Sequence, residues 1–457
     1  MMQLSQVSAA VNGQLIGEDV FVKGAVIDSR ADCTGKLFVA LDGDNFDGHH
    51  FLDQAQRNGA VASLIEESVA NQLPQVLVQD SHQALKDLAT WWRAQFVIPV
   101  IGITGSVGKT SVKEMLACIF SEIGKGLVTH GNLNNEIGVP LTLMRLEKDD
   151  AYAIVEMGMN HAGEISRLSH ISKPTVALIN NAAAAHLQGL GTIEAVARAK
   201  GEIFEGLSED GVAVINSDDP HAGLWLELIG KRKVVTFGLE SADVSATYTL
   251  RTDGLQMCVE TADESFSLNL PLIGQHNVRN ALAAIAVAVA ANIPSAAIIN
   301  GLNKYRPIHG RLNVIKTNGF TLIDDTYNAN PASMRAAIET LAQFPDSTII
   351  LGDMGELGEA SIQEHVQLGK IAEAQGIGRV YACGEFAKQI VEQFSGISKS
   401  FAKQDDLLAF LTNVDFNPGA AVLVKGSRFT RMENVVEYLQ QALSDIRVNV
   451  VKNEEKA

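Results

Sequence analysis

Apolar residues along this chain gather in short runs that alternate with amphipathic stretches. From Met1 to about Ser81 the runs are FVKGAVIDSR, KLFVAL and PQVLVQD, with one helix-like segment, FLDQAQRNGA, between them. Short β-branched runs bounded by turn residues read as strands, so this part predicts a small α/β domain. A helix is expected from His82 to Phe96, leading into a second region. That region opens with PVIGIT, a Gly-rich turn and the helical pattern SVKEMLACIF, and continues through YAIVEMG, TVALINN, GVAVIN and KVVTFG. Strands alternating with helices imply a mostly parallel sheet covered on both faces.

The alanine-rich stretch Ala281 to Ala291 falls short of the roughly 18 apolar residues that a membrane helix needs, and reads as a buried helix. After it, NKYRPIHGRLNV carries Pro307 and Gly310 and reads as a linker. Beyond the linker a βα rhythm repeats in FTLIDDTYNANPASMRAAIETLAQF, STIILGDMGELG, GRVYACGEF and AAVLVKGSR. A smaller doubly wound, Rossmann-like domain is expected there. The expected architecture is therefore α/β with three domains: a small N-terminal domain over 1–82, a central P-loop mononucleotide-binding parallel sheet over 83–311, and a C-terminal Rossmann-like domain over 312–457. The final VKNEEKA reads as a solvated, mobile tail.

Composition narrows the chemistry. Lys+Arg 36 against Asp+Glu 53 gives a net charge of −17, with no clustered basic run, which excludes a nucleic-acid footprint. Anionic substrates would have to be held by a few placed cations against the field of the whole protein. Cys33, Cys118, Cys258 and Cys383 match no metal or redox spacing and read as buried, reduced thiols in a cytoplasmic protein. The first residues lack the basic flank and apolar stretch of a signal peptide, so neither export nor membrane insertion is expected.

The sharpest feature is Thr104-Gly105-Ser106-Val107-Gly108-Lys109-Thr110-Ser111, placed between an apolar run and a helix. Glycines let backbone N–H groups turn inward around phosphate oxygens, and a helix start adds a favourable dipole. Lys109 would reach the β- and γ-phosphates and the Thr110 hydroxyl would sit on Mg²⁺. Two residues, not four, separate Gly105 from Gly108, so an ordinary Gly-rich βα turn remains the alternative. Glu156 ends the run AIVE, where α/β proteins place ligands and where a carboxylate suits Mg²⁺; it could equally cap a turn. His186 follows the strand TVALINN, and a lone histidine is more often structural. Lys200 lies on a predicted helix, where most lysines are solvated. No Gly-x-Ser-x-Gly elbow or Cys/His pair appears, which leaves phosphoryl transfer to a substrate oxygen as the plausible chemistry.

The order of these motifs resembles the Mur ligase family, from Asp28-Ser29-Arg30 in the first domain to Lys425-Gly426-Ser427-Arg428 in the last. TGSVGKTS is similar to the family's short phosphate loop, and EMGMN, NNAAAAHLQGLG and AKGEI follow in the family's order. The resemblance implies an ATP-dependent ligase in which Thr110, Glu156, His186 and a carbamylated Lys200 hold Mg²⁺. It implies that Asn277 and Asn280, in GQHNVRNALAA, contact the nucleotide, although the same residues would suit a helix start. Arg311, in HGR, would reach the ATP phosphates, and Asp325, in DDTYNANP, the ribose. Lys109, Lys200, His186 and Arg311 would be the catalytic set.

Within the family the likeness is to members that add D-Ala-D-Ala to UDP-MurNAc-tripeptide. Ser29 and Arg30 would bind the uridine-diphosphate sugar; as surface turn residues they would need no such role. Asn134 and Asn135 would meet the muramoyl peptide, and Tyr327, Asn328, Asn330 and Lys425 would lie near the reaction centre. The expected partners are these two small molecules, with the chain acting as a monomer. The rivals are another amide ligase of the same superfamily, such as folylpolyglutamate synthetase, and a nucleotide-switch ATPase that makes no product.

Overall fold

The computed structural model describes residues 1–43, 46–184, 187–317 and 319–441. The expected tail VKNEEKA lies outside them. In the first part, strands Ala25–Val26, Leu37–Val39, Ala62–Ile65 and Gln75–Leu77 run parallel, and Gln14–Ile16 closes the sheet antiparallel beside Gln75–Leu77. The helix Leu4–Ala10 and a two-stranded pairing of Met2–Gln3 with Phe21–Val22 stand beside it, neither foreseen from the sequence. Segments this short carry too few residues for a period to show.

The helix Ser81–Arg93 links the first sheet to the second. Asp80 accepts the Gln83 N–H at 2.8 Å and caps its start. Its apolar stripe, Ala84, Leu85, Leu88, Ala89 and Trp92, is buried in one cluster with Leu64 and Val76 on one side and Val139 and Leu168 on the other. Trp92 Nε1 donates to Leu146 O and Arg93 Nε to Ser172 O, so polar contacts also fasten it to the second part.

The central sheet has six parallel strands in the order Lys233–Phe237, Val212–Asn216, Val176–Ile179, Val100–Thr104, Ala153–Glu156 and Leu127–Val128. Val100–Thr104 lies inside the sheet and all five of its residues are buried, as a strand covered on both faces requires. The helix Gln275–Ala290 packs on this sheet with Ala281 to Ala288 buried, as expected of the alanine-rich stretch. No helix of the described residues is long and apolar enough to cross a membrane.

A three-stranded antiparallel sheet, Ser245–Arg251, Gly254–Glu260 and Ser265–Leu270, precedes that helix and was not predicted. Its signal is period two: Leu255, Met257 and Val259 are buried while Gln256, Cys258 and Glu260 are exposed, so Cys258, on the outer face of its strand, is not the buried thiol expected, and Cys118 is only partly buried. The last sheet runs Asn313–Lys316, Thr321–Asp325, Ala421–Lys425, Ser347–Gly352, Arg379–Cys383 and Ile397–Phe401. It is parallel except for its first edge strand, as a doubly wound fold allows.

The helix Ser295–Lys304 crosses the helix Lys109–Phe120 at Gly301. A methyl group there would collide with the Ile119 backbone and lie 2.6 Å from Cys118 O. Gly301→Val is therefore expected to destabilise the protein by about 1–3 kcal/mol through overpacking, read as a lower urea midpoint.

Candidate active site

The carboxyl ends of the central and C-terminal sheets open onto one cavity of about 840 Å³. The strand Val100–Thr104 runs into the Gly-rich turn, and the helix Lys109–Phe120 starts at its end. Gly108 has φ +82°, and a Cβ there would collide with Asn280 Oδ1 and lie 2.6 Å from Asn180 Nδ2. Only glycine fits this turn. Lys109 Nζ folds back to Gly105 O at 2.5 Å. Burial lowers its pKa, against the pull of Glu156 and with the help of Arg311.

Asparagines that the sequence reading passed over brace the turn. Asn181 Oδ1 accepts the Val107 N–H at 2.9 Å, while Asn180 and Asn181 amides both donate to Val107 O. Asn280, singled out for the nucleotide, accepts from Asn180 at 3.0 Å and donates to Asn277, which donates to Ile273 O. Asn277 and Asn280 thus line the cavity and also lock the loop. Ser106 bonds Ala183 in both directions, and Ser111 lines the cavity in the first helical turn.

On the other side, the Thr110 hydroxyl donates to Glu156 Oε2 at 3.2 Å and Asn134 Nδ2 donates to Glu156 Oε1 at 2.8 Å. Lys113, one helical turn after Lys109 and almost fully buried, donates to Thr129 O at 2.9 Å and stands 4.0 Å from Glu156. Its i, i+4 spacing from Lys109 was a legible signal. Lys200, on the helix Ile193–Gly201, is 1% exposed, so it is not the solvated helix lysine that composition favours. Burial first, and then the charge of Lys109, hold its pKa well below the ordinary lysine range. His186 lies outside the described residues. Among the described residues no three His, Cys, Asp or Glu side chains converge as a metal cluster. The Thr110 hydroxyl and Glu156 carboxylate are nevertheless the oxygen donors that a hard cation takes.

The linker brings its arginine across. Arg311 Nη2 donates to Thr110 Oγ1 at 3.0 Å and the guanidinium lies 4.1 Å from the centre of the Tyr327 ring. Its Nε is buried with no hydrogen-bond partner among the described residues. Asp324, fully buried and also missed, accepts the Gly310 N–H at 2.8 Å and pins the turn before Arg311. Asp325 pairs with Lys425 at 2.7 Å; burial raises its pKa against that attraction. Lys425 also donates to Asn328 O and Asp325 O, so its three donors are spent inside the protein.

Asn328 accepts the neighbouring Ala329 N–H and Asn330 caps the helix Pro331–Leu341; both line the cavity with Tyr327. Asn135 lines it too, while its side chain caps Gly138. Ser29 and Arg30 are absent from the lining. Ser29 is buried and donates to Gln54 at 3.0 Å, and exposed Arg30 pairs with Asp28, holding that carboxyl down at about 2.

A phosphate loop, a buried carboxylate beside it and an arginine brought across by the linker are the features of an ATP-using enzyme. Comparison with known proteins extends this. Residues 22–93 match the Mur ligase family catalytic domain, 103–288 the Mur ligase middle domain, and 310–428 the Mur ligase glutamate ligase domain. A UDP-N-acetylmuramoyl-tripeptide–D-alanyl-D-alanine ligase of Escherichia coli K12 is 43% identical over 96% of this chain and 98% of its own length. The enzyme of that name from Haemophilus influenzae is 38% identical over 97% and 100%. MurF from Acinetobacter baumannii superposes with a TM-score of 0.91 at 37% identity, covering 96% of this chain and 98% of that one. MurF from Thermotoga maritima, solved in complex with ADP, gives 0.83 at 30% identity over 94% and 100%. The chain belongs to the Mur ligase family, and it is an ATP-dependent ligase.

Two outcomes follow. Gly108→Ala should weaken ADP binding by about 100-fold or more, read by calorimetry, with far-ultraviolet circular dichroism unchanged, because the loop must leave its asparagine braces. Burial, then Lys425 and Arg279, hold His276 in the cavity wall down at about 4. The unfolded chain takes up that proton near 6.5. Stability should therefore fall as pH drops from about 6.5 towards 4 and level off below, and His276→Gln should flatten that fall in urea midpoints.

Proposed function

We propose that this chain joins D-Ala-D-Ala to UDP-MurNAc-tripeptide, yielding the UDP-MurNAc-pentapeptide, ADP and phosphate for peptidoglycan precursor synthesis. The observation that carries this is the Arg311–Thr110 contact, which sets a linker arginine on the phosphate loop within a cavity walled by two domains. The names of the relatives at 43% and 38% identity support the choice of substrates.

In this reading residues 1–82 hold the uridine-diphosphate sugar through Ser29 and Arg30, 83–311 hold ATP, and 312–457 hold D-Ala-D-Ala. Lys109 leaves Gly105 O for the β- and γ-phosphates, Arg311 offsets the γ-phosphate charge, and Asp325 faces the ribose. The peptide's terminal carboxylate, guided by Asn134 and Asn135, attacks the γ-phosphorus in line; ADP leaves and an acyl phosphate forms. The D-Ala-D-Ala amine then attacks the acyl carbon beside Tyr327, Asn328 and Asn330, losing a proton as phosphate leaves. Lys425 holds Asp325 and the 325–330 turn in place. Mg²⁺, which would be held by Thr110, Glu156, His186 and Lys200, supplies positive charge against the phosphate oxygens.

For Lys200 we infer carbamylation. A buried lysine held neutral is a nucleophile for CO₂, and the product is an anion suited to a cation site. In the same reading the chain acts in the cytoplasm, where ATP is available, and as a monomer.

Incubation with ATP, Mg²⁺, D-Ala-D-Ala and UDP-MurNAc-tripeptide should give the pentapeptide by mass. Lys109→Ala should cut turnover by about 100-fold or more. Absence of the product from the wild-type reaction, or full turnover by Lys109→Ala, overturns the reading. Protein equilibrated with ¹³C-bicarbonate should show a carbamate carbonyl resonance that Lys200→Ala lacks.

A further inference from the structure

A dipeptide reaches the enzyme as a zwitterion, and its carboxylate needs a cation to receive it in a chain whose net charge is −17. Among the described residues five cationic side chains line the cavity. Lys109 and Arg311 stand at the phosphate loop, and Lys425 is spent on Asp325 and Asn328. Arg279 belongs to the helix Gln275–Ala290, bonded to Gln275 and 3.7 Å from Asp218. The fifth, Arg428, stands on the C-terminal wall with its side chain 67% exposed.

Arg428 follows a knot of hydrogen bonds. The Ser427 hydroxyl donates to Ala329 O at 3.1 Å and accepts the Gly355 N–H at 2.9 Å, while the Ser427 N–H donates to Asp353 O at 3.0 Å. The Thr430 hydroxyl donates back to Ser427 O at 2.6 Å, and Gln404 Nε2 donates to Thr430 O at 3.1 Å. Gly426 lets these loops meet so closely: a Cβ there would lie 2.5 Å from the Thr430 hydroxyl and 3.1 Å from Gly352 Cα. The segments 325–330, 353–357 and 425–430 therefore converge at Ser427, and Arg428 is carried on a braced mount. Glu433 accepts from its Nη1 at 2.9 Å, which orients the guanidinium while taking one of five N–H donors. Exposed Phe429 lies beside Gly355, and with Leu357 and Ala329 it gives the same wall an apolar surface.

We propose that Arg428 receives the terminal carboxylate of D-Ala-D-Ala, and that Phe429 and its apolar neighbours take the methyl groups. This rests on the ligase reading above. A guanidinium fork matches a carboxylate in shape as well as charge. Two extended residues span about 7 Å, so a dipeptide held at Arg428 can lay its amine along the Tyr327–Asn330 turn, which Ser427 ties to the same loop. Arg428 then selects the amine substrate by its far end.

Steady-state constants for D-Ala-D-Ala and for D-alanyl-D-alaninamide, which keeps the amine and lacks the negative charge, test this in the full-length enzyme. Wild type should prefer the acid by about tenfold or more in kcat/KM, the size of one charge-assisted hydrogen bond. Arg428→Gln should lose about tenfold or more on the acid, through KM, yet change within about twofold on the amide, so that the preference collapses. KM for ATP and for UDP-MurNAc-tripeptide should stay within about twofold. Arg428→Lys, with the charge but without the fork, should keep part of the preference. A wild type that uses acid and amide alike overturns the assignment, and so does an Arg428→Gln enzyme that keeps the full preference. An equal loss on both dipeptides also overturns it, since that marks a merely structural role. A wild type that joins neither dipeptide overturns the ligase reading, and this inference with it.

Discussion

A polyphosphate and a carboxylate repel each other, and a protein that brings them together must supply positive charge where water has been removed. Here that charge is kept in the buried lysines around one turn. Lys109 is parked on Gly105 O, and Lys113 is held by Thr129 O and Glu114. Each would be costly in an apolar interior without a partner. The strand ends, the asparagine braces and the linker arginine all place donors around this charge, and they make sense as its supports.

The same requirement explains how the molecule is divided. The central sheet carries the cations on short, rigid connections, and Asn180 and Asn181 fix the Val107–Gly108 turn by hydrogen bonds, with Asn280 accepting from Asn180 behind them. The C-terminal sheet carries the turn from Asp325 to Asn330, braced from beneath by Lys425 and Ser427. Pre-organised donors need no rearrangement when charge develops on the substrate, which is where such sites gain most of their effect.

Much of this was legible in the amino-acid order. The strand, turn and helix around Gly105 to Ser111 were readable because glycine spacing and hydrophobic periodicity are local properties. Glu156 was singled out because strand ends in α/β sheets are where ligands collect, and Asp325 because DDTYNANP resembles a family motif. What escaped was non-local or short. Asn180 and Asn181 act through partners 73–74 residues away, which no period announces. Asp324 was hidden beside Asp325, although burial gives the two opposite tasks. The hydrogen bond from Ser29 to Gln54 spans 25 residues and escaped for the same reason as the asparagine bonds. The three antiparallel strands after Phe237 did carry a period-two alternation, and attention to the parallel rhythm around them obscured it.

The apolar seam along the helix Ser81–Arg93 has a mechanical meaning. Prising the first sheet from the central one would strip Leu85, Leu88 and Trp92 from their packing, at about 1.5–3 kcal/mol for each large side chain laid bare. At the other end, Ile273 alone of the central region joins the C-terminal cluster among the described residues, and the remaining attachments include the Arg311 and Gly310 hydrogen bonds. Water can replace hydrogen bonds cheaply, whereas it cannot replace a packed leucine. The molecule therefore has one stiff joint and one slack one, and thermal motion should spend itself almost wholly on the second.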